Sequence, residues 1–87
     1  MLFLSLRESM QLTKLASNMT EIENNAARVL FSYSTPVAAF IHGTGWVKTE
    51  KSWSSTTSRH INKWMGKDTA KTCQTMPQSE FDTLLDN

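Results

Sequence analysis

The chain has 87 residues, 39% hydrophobic and 20% charged, with nine Lys+Arg against eight Asp+Glu for a formal net charge of +1. That length excludes a two-domain enzyme built around a cofactor fold, and the balanced charge excludes a whole-chain polycation for nucleic acid. Eight aromatic residues, three of them Trp, argue against intrinsic disorder, so residues 1–87 read as one small domain.

Residues 1–6, Met-Leu-Phe-Leu-Ser-Leu, begin like a signal peptide, but the run is short, has no basic start and meets Arg7-Glu8 at once. Met10 is a second potential start, so residues 1–9 read as a loosely ordered extension. Ser5 and Glu8 have the spacing of a helix capping box. Leu12, Leu15, Ala16 and Met19 then recur at three- and four-residue steps, which predicts a helix over about 6–18. Asn24-Asn25 is turn chemistry between 19–23 and 27–33, and these two segments read as a hairpin. Pro36 lacks an N–H and belongs at an edge, a bulge or a strand start. Residues 37–41 and 46–50 form a second hairpin around Gly43 and Gly45, with Trp46 and Lys48 facing away from Val47 and Thr49.

Ser54, Ser55 and Thr56 are alternative N-caps for a helix over 55–65. Thr57, Ile61, Trp64 and Met65 share its apolar face, Arg59, Lys63 and Lys67 another, and Gly66 ends it. Residues 67–75 read as a polar loop. Pro77-Gln78-Ser79-Glu80 opens a short final helix with Phe81, Leu84 and Leu85 as its stripe. The expected fold is α+β: an N-terminal helix, a meander of three or four antiparallel strands, the 55–65 helix packed on the sheet, and a short C-terminal helix.

Charge is distributed unevenly. Residues 1–47 carry three basic and three acidic side chains, residues 48–71 six basic against two acidic, and residues 72–87 three acidic. The segments Ser32-Tyr33-Ser34-Thr35-Pro36-Val37-Ala38 and Trp53-Ser54-Ser55-Thr56-Thr57-Ser58-Arg59-His60-Ile61-Asn62-Lys63-Trp64 resemble a family of small, uncharacterised bacteriophage proteins. The resemblance covers roughly residues 12–65 and includes the glycine turn between the two motifs. The first nine residues and the tail after Gly66 have no counterpart. The resemblance implies a phage-encoded, non-structural protein acting in the cytoplasm of an infected bacterium. It carries over no catalytic role.

The 53–67 segment is the candidate binding region. A helix N-terminus suits an anion, and Arg59 and Lys63 lie one turn apart. Trp53, Thr56, Arg59, His60, Lys63 and Trp64 are its candidate partner-binding residues, although capping hydroxyls, solvated lysines and core tryptophans would give the same sequence. Tyr33 and Trp46 are candidate base-stacking residues. A nucleophile and base can be drawn from His42 with Ser32 or His60 with Cys73. Neither pair comes with an orienting third group, so no catalytic residue is assigned. No metal-ligand spacing appears and no cofactor is implied. The leading expectation is a non-catalytic accessory protein that binds and modulates, by inhibition, a host protein. The alternative is a small nucleic-acid-binding protein using helix 55–67 on phosphates. No membrane association is expected, and a small core with a lone Cys73 makes a homodimer a further candidate.

Overall fold

The computed structural model describes residues 10–84. Five strands follow one another as hairpins: β1 (Gln11–Ala16), β2 (Met19–Glu23), β3 (Ala27–Ser32), β4 (Thr35–Ile41) and β5 (Gly45–Thr49). Helices α1 (Ser55–Met65) and α2 (Lys67–Thr72) come next, then strand β6 (Gln74–Met76) and helix α3 (Gln78–Thr83). The sheet has six strands in sequence order, antiparallel throughout except that β6 lies parallel to β5.

This corrects the expected N-terminal helix and three- or four-stranded sheet. Where a helix over 6–18 was expected, residues 11–16 form a border strand, and residues 6–9 lie outside the described residues. The three- and four-step spacing has another cause. Lys14 pairs with Thr20 and Ala16 with Met19, so the register skips Leu15. A bulge shifts the side-chain alternation by one, and Asn18, at φ 64°, turns the chain back. The polar loop expected over 67–75 is instead α2 and β6. α2 has Ala70 as its one buried residue, and β6 has three residues, so neither shows a periodic pattern.

Alternation across the sheet creates two core layers. Leu30 and Ala38 point to one side, where Ile61 and Met65 of α1 and Ala70 of α2 cover them. Val29, Ala39 and Val47 point to the other, where Phe81 of α3 fills the space. Small side chains at 38 and 39 let a helix approach each face. β3 and β4 skip register at Val37, so Val37 and Ala38 both enter the first layer. Pro36 sits beside that bulge, opposite Phe31.

Local chemistry explains the turns. Asn24 Oδ1 accepts from the N–H groups of Ala26 and Ala27 at 2.8 and 2.9 Å, which closes the β2–β3 turn. Ser54 caps α1, its Oγ accepting from Thr57 N at 3.3 Å. Gly66, at φ 93°, ends α1 and redirects the chain into α2. Gln78 locks α3 down: its Nε2 donates to Pro36 O at 2.7 Å and its Oε1 accepts from Thr49 Oγ1 at 2.8 Å. Leu85, expected in the apolar stripe of α3, lies outside the described residues.

Candidate functional site

α1 presents three flanks. Thr57, Ile61 and Met65 are buried against the sheet. Thr56, Arg59, His60 and Lys63 follow three- and four-residue steps and share a second flank. Ser58 and Asn62 occupy the third and line a cavity of about 340 Å3 with Lys48, Lys51, Trp53 and Thr75.

The second flank gathers four of the six expected partner-binding residues. Arg59 and Lys63 are exposed. Arg59 Nη2 donates to Thr56 Oγ1 at 3.4 Å. His60 is half-buried, with Nδ1 2.8 Å from Ser32 Oγ. Ser32 Oγ is also 3.0 Å from Thr57 Oγ1, and Ser54 Oγ donates to Thr57 Oγ1 at 3.5 Å. These contacts link Ser54, Thr57, Ser32 and His60 in one hydrogen-bonded chain. Serine and histidine are thus paired here, but Ser32 is 2% exposed and offers no surface to a substrate. The contact ties β3 to α1.

Tyr33 adjoins this flank. Its ring centroid is 6.0 Å from that of His60, and it is 53% exposed. Its backbone has φ 59°, a left-handed conformation that is unfavourable for a bulky residue. A hydrogen bond from Tyr33 N to Asn18 O, 2.8 Å long, holds the turn in place. An aromatic side chain is therefore displayed at a strained turn beside His60.

The two expected tryptophans lie elsewhere. Trp53 is at the rim of the cavity, with Lys51 Nζ 4.5 Å above its ring and its Nε1 donating to Gln78 Oε1 at 3.3 Å. Trp64 Nε1 donates to Glu21 Oε1 at 2.9 Å, and its ring packs edge-on to Trp46 at 5.4 Å. Trp46 also meets Phe40 at 4.9 Å, and the Arg28 guanidinium lies over both rings at 5.7–5.8 Å. Trp46 and Trp64 are thus engaged in an aromatic cluster, whereas Tyr33 is displayed. His42 is exposed at the β4–β5 turn, against Phe40 at 6.0 Å. The sequence reading missed Gln78, Arg28 and the lysines of the cavity. Gln78 and Arg28 carry no local motif, and their roles arise from contacts across the fold.

Cys73 falls in the segment 67–75 that was expected to be a polar loop. It is half-buried after α2 and packs against the first core layer. Burial pushes its pKa up, and the nearby Lys48 ammonium partly opposes this. Among the described residues, no group of three His, Cys, Asp or Glu is placed to hold a metal. Among them, too, no helix is long and apolar enough to cross a membrane.

Residues 10–83 match a family of unknown function, DUF8033. The chain belongs to this family. The match spans every strand and helix described above, so the family unit is the six-stranded sheet with its helices on both faces. Comparison with curated proteins and with solved structures finds no match.

Proposed function

We propose that this DUF8033 protein is a non-catalytic binding protein. It docks onto an acidic surface of a larger protein through Tyr33, Thr56, Arg59, His60 and Lys63. In keeping with the bacteriophage resemblance, the partner is a host protein whose activity it inhibits in the cytoplasm of an infected bacterium. The observation that carries this reading is Tyr33: an exposed aromatic held at φ 59° next to His60. Strain at an exposed residue contributes nothing to folding, and strained residues cluster at functional sites. Tyrosine and arginine are enriched among the residues that dominate interface energies. The two exposed cations supply charge complementarity.

The test is capture of a stoichiometric partner from bacterial lysate, repeated with R59E/K63E and with Y33A. Both variants lose the partner while keeping the thermal midpoint of the parent chain. Undiminished recovery with R59E/K63E overturns the assignment. Arg59 and Lys63 would also serve nucleic-acid binding. A titration with single- and double-stranded DNA over rising salt separates the readings, because phosphate contacts weaken steeply with salt. Tight binding at low salt that is lost with R59E/K63E would favour nucleic acid.

A further inference from the structure

β1 is the border of the sheet, and no strand lies beyond it among the described residues. Residues 11–15 are exposed, and β1 packs chiefly against β2. Leu12 is 66% exposed, with Leu15 and Met10 at 42% and 44%. Such a row of open N–H and C=O groups is a template for another strand, and natural edges are usually blunted by proline, charge or cover. β1 has no proline and a single charge, Lys14. Its bulge bends only the end of the strand, after Lys14.

We infer that β1 pairs antiparallel with β1 of a second copy around a two-fold axis at Leu12, giving a continuous twelve-stranded sheet. This inference is independent of the α1 surface. It commits to a second copy because the strand matches itself in one register. A two-fold axis normal to the sheet keeps each face continuous, so it passes through a residue and not between two. The regular part of β1, Gln11–Lys14, offers four such centres, and an axis at Gln11 pairs only residues 10–12 among those described. An axis at Lys14 places two ammonium groups opposite each other, which is destabilising. An axis at Thr13 sets Leu12 against the second copy's Lys14. An axis at Leu12 sets Leu12 on Leu12, Gln11 on Thr13 and Met10 on Lys14, with no like charges opposed. Leu12 faces Ile22, and Ile22 faces Val29. The axis at Leu12 therefore joins two apolar rows, Val29–Ile22–Leu12, across the dimer. The paired segment is short compared with a standard interface of roughly 1,600 Å2, so the dimer is weak and dissociates on dilution.

Sedimentation of the full chain tests this, with L12K and L12E as charge-swap variants. Leu12 is exposed, so both variants keep the parent circular dichroism spectrum and thermal midpoint. The parent chain shifts from 9.9 kDa monomer to dimer as concentration rises. Each variant alone stays monomeric, and an equimolar mixture recovers the dimer, because an ammonium from one variant then faces a carboxylate from the other across the axis. A parent chain that is monomeric at high concentration overturns the inference, as does a dimer that L12K leaves intact. Failure of the mixture to dimerise overturns the register.

Discussion

Replacing Tyr33 with glycine separates what this residue does for the fold from what it does for binding. A left-handed conformation costs an L-residue roughly 1–2 kcal/mol, and glycine escapes that cost. Glycine in turn adds freedom to the unfolded chain, worth about 0.4–1 kcal/mol. Compared with Y33A, which keeps the strained backbone and removes the same ring, Y33G is therefore more stable by about 0.5–1 kcal/mol. For a domain of this size that is a rise in thermal midpoint of roughly 3–6 °C. The assay is thermal unfolding of both variants, with urea titration as a second measure, followed by partner capture. Both variants lose binding, and Y33G gains stability while doing so. If Y33G is less stable than Y33A, then φ 59° at this turn is not a strain that the tyrosine bears, and the case for a displayed side chain fails.

Three further outcomes follow from the packing. Ser32→Ala removes the hydroxyl between Thr57 and His60, and urea titration should show a loss of about 1–3 kcal/mol for the groups left unpaired. Phe81→Ala empties the second core layer and costs about 3–5 kcal/mol. That is a large share of the roughly 4–13 kcal/mol available to a domain of this length, so its circular dichroism melt loses cooperativity or shifts far down. Cys73 holds its proton more tightly folded than unfolded. Its contribution to stability is fully present below the ordinary thiol pKa of about 8.5 and is lost as pH rises through the higher folded value. Urea midpoints should fall over that alkaline range in the parent chain and fall less in Cys73→Ser. A thiol reagent should react faster once urea unfolds the chain.

The helix over 55–65 was legible because every signal for it is local. Ser54 caps it, Thr57, Ile61 and Met65 recur at helical spacing, and Gly66 stops it. The two central hairpins were legible for the same reason, through Asn24 and the glycines at 43 and 45. β1 was misread because the bulge at Leu15 brings apolar residues into a three- and four-step spacing that a helix would also give. β6 and α2 had no pattern to read, since their place is fixed by the β5 edge and the first core layer. The site divides in the same way. Thr56, Arg59, His60 and Lys63 share a flank by helical spacing alone. The link from Ser32 to His60 spans 28 residues of sequence, and no local signal announces it. Tyr33 was singled out for its ring, but its strained backbone and its place beside His60 emerge only from the fold.

The central claim is that α1 and Tyr33 form the contact surface for a larger protein. Site-specific photocrosslinking tests it most directly, with a photoreactive phenylalanine analogue at position 33 and, as control, at the exposed Ser79 on α3. The expected result is one heavy adduct from position 33, none from position 79, and loss of the adduct when Arg59 and Lys63 are changed to glutamate. An adduct from position 79 with none from position 33, or an adduct at 33 that survives both charge reversals, would contradict it.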